Sequence, residues 1–211
     1  RLNNTGASTL ITDSINLPKA LEAQRAASAL KHIFVIEGPA IDGALPLMKT
    51  IERASSEFKT LALTPDTPAF INYTSGTTGW PKGTLQGHRS MIGHMPGLEV
   101  LYDLFPQPRD LFWSPADWAW LAGLMDVLMP AWFHGKPVLV FPMKGFDPEL
   151  SLSMMGRHQV RNTLLTPTML KLLLPSRHLV ADKNVQLRSI ISGSEAVGKE
   201  LLLEMNSIFG V

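Results

Sequence analysis

No cysteine occurs among the 211 residues of this chain. That excludes disulfide staples and thiolate metal sites, and it is compatible with a reducing compartment, the cytoplasm being the expected one. Charge of neither sign dominates: 19 Lys and Arg stand against 18 Asp and Glu, for a formal net charge of +1. With no basic block, neither nucleic acid nor an anionic membrane surface is indicated as a partner. Long apolar runs are missing as well. The longest candidate, residues 118–133, contains Asp126 and Pro130 and is shorter than the ~20 residues a spanning helix needs. The opening Arg1-Leu2-Asn3-Asn4-Thr5-Gly6 is polar and has no secretory character. The six histidines, at 32, 88, 94, 134, 158 and 178, include no pair at helical i, i+4 spacing. No transition metal is therefore assigned, and the histidines read as solvated or capping.

What remains is a globular composition, 45% hydrophobic and 18% charged, enough for a substantial core. Short apolar runs predict strands at 9–12, 33–36, 69–73, 110–113, 138–141, 162–165 and 189–192. Between them, helical patterns cover 17–29, 45–57, 88–101, 118–133, 148–158, 167–174 and 199–208. This alternation predicts an α/β fold, a mainly parallel sheet flanked by helices. Residues 37–68 are the most irregular stretch and mark a possible subdivision. The chain starts at Arg1 and stops at Val211 just behind a helical pattern, and so reads as a piece of a larger domain.

Residues 73–83 carry the most chemistry: Tyr-Thr-Ser-Gly-Thr-Thr-Gly-Trp-Pro-Lys-Gly. Glycines at 76, 79 and 83 are expected to give the positive φ angles that turn backbone N–H groups toward one point. Thr74, Ser75, Thr77 and Thr78 add hydroxyls, and Lys82 adds a charge, so the run reads as an anion cradle at the end of a strand. In open α/β sheets ligands bind at such strand ends. A Walker loop is excluded, because five residues on from Gly76 stands Pro81 and five on from Gly79 stands Thr84. A dinucleotide fingerprint is excluded too, since no glycine here has another two residues on.

The run resembles, almost position for position, the phosphate loop of the adenylate-forming (AMP-binding) superfamily of acyl-CoA synthetases, acetyl-CoA synthetase, luciferases and peptide-synthetase adenylation domains. The resemblance implies ATP binding by Thr74, Ser75, Gly76, Thr77, Thr78, Gly79 and Lys82 around the β- and γ-phosphates, with Lys82 in the catalytic role. Residues 187–196, Leu-Arg-Ser-Ile-Ile-Ser-Gly-Ser-Glu-Ala, resemble the adenine-site segment, with Ser194, Glu195 and Ala196 in its positions and Ser194 where Gly is common. Ser and Glu also suit a helix start, so Ser194 and Glu195 are expected equally to begin the next helix, a reading that does not exclude the nucleotide contact. Residues 113–120, Trp-Ser-Pro-Ala-Asp-Trp-Ala-Trp, resemble the segment bordering the acyl pocket of acetyl- and medium-chain-type synthetases. If helical, Trp118 and Trp120 point ~200° apart; Trp120 is the candidate pocket wall, and core packing is the competing reading.

The implied parent activates a carboxylic acid with ATP and Mg2+ as acyl-adenylate, then passes the acyl group to coenzyme A. The family's Tyr-Gly-x-Thr-Glu motif is missing, since the only tyrosines are Tyr73 and Tyr102, and no Gly is followed by Asp. The expectation is therefore part of the N-terminal AMP-binding domain of an acyl-CoA synthetase, inactive by itself. The alternative is a stand-alone, non-catalytic nucleotide-binding or interaction module.

Overall fold

Strand-forming runs near both ends of the chain build parallel sheets, as the alternation of apolar runs and helical patterns requires. The computed structural model describes residues 1–38, 41–74 and 79–211. Two units divide them: Arg1–Leu63 with Tyr73–Lys82, and Thr64–Asn72 with Gly83–Val211.

The first unit runs α1 (Leu2–Thr5), β1 (Thr9–Thr12), α2 (Leu17–Ala26), β2 (His32–Val35), β3 (Leu45–Pro46) and α3 (Leu47–Glu52). Strand β1 lies parallel to β2 with Thr9 opposite His32, and β2 lies parallel to β3 with Phe34 opposite Leu45. Leu17 and Ala20 of α2 bury against Ile33 and Val35 of β2, with Leu30 and Ala44 completing the core. Helix α2 ends short of the expected residue 29 because Ala27 leaves helical geometry at φ −115°. The helix expected over 45–57 begins two residues late. Leu45 and Pro46 pair as β3, and Pro46 caps α3 in an extended conformation, where its missing N–H costs nothing.

The second unit carries most of β4 (Pro68–Thr74) and β5 (Lys82–Gly87), which form a two-stranded sheet, followed by α4 (Arg89–Leu101) and β6 (Phe112–Trp113). A π-helical turn over Gly123–Leu128 leads into α5 (Met129–Phe133), then α6 (Pro148–His158), β7 (Asn162–Leu164) and α7 (Pro167–Leu173). A 3-10 turn, α8 (Leu179–Asp182), β8 (Ser189–Ile191) and α9 (Lys199–Phe209) complete it. Strands β6, β7 and β8 are parallel, with Phe112 opposite Asn162 and Asn162 opposite Ser189.

Side chains alternate across this sheet, as the strand period demands. Phe112 and Leu164 join Met95, Leu98 and Tyr102 of the α4 side. Trp113 and Leu165 join Leu152, Met155 and Leu173 of the α6 and α7 side. The strand expected over 138–141 contributes a single bridge, Val138 to Phe112. Prolines at 137 and 142 flank it, and proline cannot extend a ladder. The helix expected from residue 118 starts only after a turn over 118–119. Gly123 is required there, because a Cβ on it would stand 2.6 Å from the Asp117 carbonyl oxygen.

The N-terminal ends of the three parallel strands are tied by one ion pair. Arg188 donates from Nε to Asp110 Oδ1 at 3.1 Å and from Nη2 to Asp110 Oδ2 at 2.9 Å. The Asp110 side chain is 0% exposed and that of Arg188 14%. Removing one partner strands a buried charge, so Arg188→Ala should lower unfolding free energy by about 4 kcal/mol, whereas Arg188→Met with Asp110→Leu should lose far less. Denaturant titration of both variants checks this; equal losses would contradict it.

Candidate functional site

In the first unit, β4 delivers Tyr73 and Thr74. The Tyr73 hydroxyl donates to Asn4 Oδ1, and the Arg1 guanidinium lies 5.6 Å from the Tyr73 ring centroid. Sequence reasoning gave Arg1 and Asn4 no role, and their separation along the chain hides the contact. Thr74 is exposed at the end of the strand. Gly79 adopts φ +99°, the positive angle expected of a loop glycine, with open space where a Cβ would stand. Lys82, exposed, is the first residue of β5, and Gly83 lies inside that strand without the positive φ expected of it, since it pairs as extended backbone. Ser75, Gly76, Thr77 and Thr78 lie outside the described residues.

In the second unit, the C-terminal ends of β6, β7 and β8 converge. Ser114, just past β6, donates to Leu164 O at 2.7 Å and accepts from Ala116 N–H at 3.1 Å. Leu165 N–H donates to Ile191 O at 3.0 Å. Thr166 caps α7 by accepting from Met169 N–H, and Thr168 Oγ1 donates to Glu195 Oε1 at 2.8 Å. The segment behind β8 thus hangs on α7 through one side-chain bond. Helix α9 begins only at Lys199, so Ser194, Glu195 and Ala196 form an exposed loop instead of the helix start. Ser194 sits at φ +71°, a left-handed angle unusual for a side-chain-bearing residue. That is the physical reason a glycine suits this position.

A cleft of about 560 Å3 opens beside that loop, with Ser194 on its lining. Phe70, Leu121, Ala122 and Met125 form its apolar wall, Ser90, His94 and Asp126 a polar one, and Gln86 also reaches it. His94, expected to be solvated or capping, instead meets Asp126 Oδ1 through Nε2 at 2.7 Å. Tyr102 donates its hydroxyl to the Asp126 carbonyl at 2.8 Å, and burial, with Asp126 contributing less, pushes its phenol pKa up. The signal that could have flagged the pair is Asp126 itself, a lone acid in an apolar helical run. Trp120, the expected pocket wall, is 61% exposed. Trp118 lines a neighbouring hollow of about 430 Å3 with Ser114 and Phe141. Residues 118–119 form a turn, so the helical separation expected of the two indoles does not apply.

The AMP-binding enzyme family matches residues 1–211. The chain belongs to that family. This AMP-binding chain is 26% identical over 216 residues to the acetyl-coenzyme A synthetase of Bacillus subtilis (strain 168), covering 99% of itself and 36% of that protein. To an uncharacterized acyl-CoA ligase, YtcI, of the same organism it is 28% identical over 162 residues, 77% of itself and 30% of the relative. It therefore spans about a third of the length of these curated relatives. Among solved structures, it is similar to the anthranilate CoA ligase AuaEII in complex with anthranoyl-AMP, with a TM-score of 0.87 and 23% identity over 100% of this chain and 40% of that one. ATP-bound MatB from Rhodopseudomonas palustris is similar as well, with a TM-score of 0.82, 23% identity and the same coverage. The shared fold is that of adenylate-forming enzyme domains.

The backbone at Ser194 makes a stability prediction. Ser194→Gly removes left-handed strain but frees the unfolded chain, so it should stay within about 1 kcal/mol of the parent. Ser194→Val, β-branched at positive φ, should lose about 2 kcal/mol. Chemical denaturation of the pair reads the difference; equal stability would contradict the strain.

Proposed function

We propose that this chain supplies the ATP-holding part of an AMP-forming acyl-CoA synthetase. The observation that carries the reading is the run at 73–83, a hydroxyl- and glycine-rich loop ending in Lys82, in a chain that matches the AMP-binding family over its whole length. In this reading Thr74, Ser75, Gly76, Thr77, Thr78, Gly79 and Lys82 surround the β- and γ-phosphates of ATP. Ser194, Glu195 and Ala196 pass the adenine ring, and the Thr168 bond to Glu195 holds their loop in place. The acid occupies the cleft that shares Ser194 with that loop, because its carboxylate must stand beside the nucleotide it attacks. Trp120, 61% exposed beside Leu121 of the cleft wall, keeps its place in this reading as a residue of the substrate surroundings on the strength of the 113–120 run.

A carboxylate oxygen bonds to the α-phosphorus, the bond from that phosphorus to the bridging oxygen breaks, and pyrophosphate leaves with the electron pair. The thiol of coenzyme A, its proton released to water, then bonds to the acyl carbon; the bond from that carbon to the phosphate oxygen breaks, and AMP departs with the electron pair. In phosphoryl chemistry the protein contributes mainly position and charge. Lys82 and the loop's donors neutralise the leaving pyrophosphate, a charge-assisted contact stronger than a neutral hydrogen bond. Magnesium would arrive with the triphosphate and supply further charge compensation there. Among the described residues no group of three or more His, Asp or Glu gathers to hold an ion. The thioester product and the partner acid, ATP and coenzyme A are all small molecules.

Titration calorimetry with ATP and magnesium tests the reading. Wild type should bind, and Lys82→Ala should weaken binding by about tenfold or more, the loss expected for a hydrogen bond to a charged group. Unchanged affinity in Lys82→Ala would remove the loop from the phosphate site.

A further inference from the structure

From the polar wall of the cleft we infer that the acid it accepts carries a hydrogen-bond donor, an amino or hydroxyl group, on an otherwise apolar body, and that Asp126 selects for it. The inference rests on the reading of this cleft as the acid's site and adds the chemical class of the acid.

The polar wall offers acceptors. Asp126 Oδ1 is met by His94 Nε2 at 2.7 Å, while among the described residues Oδ2 has no partner. A carboxylate can only accept. Ser90 lines the same cleft and gives its hydroxyl proton to Gly87 O at 2.8 Å, which leaves its oxygen as an acceptor. Gln86, also on the lining, carries an amide that both donates and accepts, so it meets a donor-bearing ligand as readily as any other. The side chains of His94 and Asp126 are 43% and 30% exposed, so both reach the open volume without being fully solvated. Phe70, Leu121, Ala122 and Met125 offer the ligand nothing polar from their side chains. A ligand that fills about 560 Å3 with an apolar body satisfies these four. Only a donor satisfies Asp126 Oδ2, and a second carboxylate would meet it with like charge.

The backbone holds the acceptor in position. Asp126 lies within the π-helical turn Gly123–Leu128, and its carbonyl receives the Tyr102 hydroxyl at 2.8 Å. His94, on α4, positions Asp126 through their contact and also lines the cleft itself. Such a site discriminates, because an acid lacking the donor displaces water from Asp126 Oδ2 and leaves that one oxygen without a partner.

The test uses the full chain with ATP and magnesium present and three matched acids: 3-phenylpropanoate, 3-(4-hydroxyphenyl)propanoate and 3-(4-aminophenyl)propanoate. Calorimetry or ligand-observed NMR gives the ratio of dissociation constants between the apolar acid and each donor-bearing one. Wild type should favour at least one donor-bearing acid by about tenfold, the discrimination expected for one hydrogen bond to a charged group. Asp126→Asn and Asp126→Ala should both bring that ratio below about threefold, and His94→Gln should reduce it in part. A merely structural role would change all three affinities together and leave the ratio in place, which would overturn the assignment. A wild-type ratio near one, with ATP and 3-phenylpropanoate both bound, would overturn the inference and leave the acid-site reading standing. Loss of ATP binding together with all three acids would overturn both.

Discussion

The carboxylate of Asp110, closed off from water, is held in the second unit by two donors of Arg188 and by the Gln107 N–H, which donates to Oδ2 at 2.7 Å. The two residues stand just ahead of β6 and β8, on opposite sides of β7. Their pairing fixes how far the outer strands extend relative to each other. Backbone bonds run along the same edge, from Arg188 N–H to Arg161 O at 2.6 Å and from Arg161 N–H to Leu111 O at 2.9 Å. A one-residue slip would carry Phe112 and Trp113 to the wrong faces, and each belongs to a different apolar cluster. Register at the N-terminal edge thus decides which residues emerge at the C-terminal edge, where Ser114, Thr166 and Ser194 lie.

At that edge, bonds between segments replace the ladder. Ser114 ties the exit of β6 to β7, Leu165 ties β7 to β8, and Thr168 ties the loop behind β8 to α7. Each uses a small hydroxyl or backbone group, which keeps the edge low and open. Strain is tolerated here as well, at the left-handed Ser194. A rigid sheet with a strained, polar rim is a common arrangement for binding.

Much of this was legible in the residues. The strand at 9–12 and the helix at 148–158 match their apolar patterns to the residue, the latter because Asp147 caps its start and Pro148 opens it. The parallel sheets were implied by alternation alone. Three things were hidden. The pairing of Leu45 with Phe34 overrode a helical pattern, since strand addition depends on a partner distant in sequence. Gly83 was expected to take a positive φ in the loop but lies in a strand, which was hidden because β5 is weakly apolar and shows no period. The His94–Asp126 pair spans 32 positions, and no spacing rule reaches that far. Local chemistry can be read from a run such as 73–83; convergence of distant side chains requires the fold.

The π-helical turn over Gly123–Leu128 also bears on how such a cleft diversifies. A π turn carries one residue more than the α-helix it interrupts. Loss of a single residue there would restore α-helical winding and leave the downstream helix in phase, because the π turn spends its extra residue within one revolution. Met125 and Asp126, both on the cleft lining, sit inside the turn, while Val127 and Leu128 beside them are buried. One codon lost there therefore changes which side chain of the turn meets the ligand while the helix behind it keeps its packing. Relatives that differ in length at this point should be expected to differ in what they bind, even where their residues look alike.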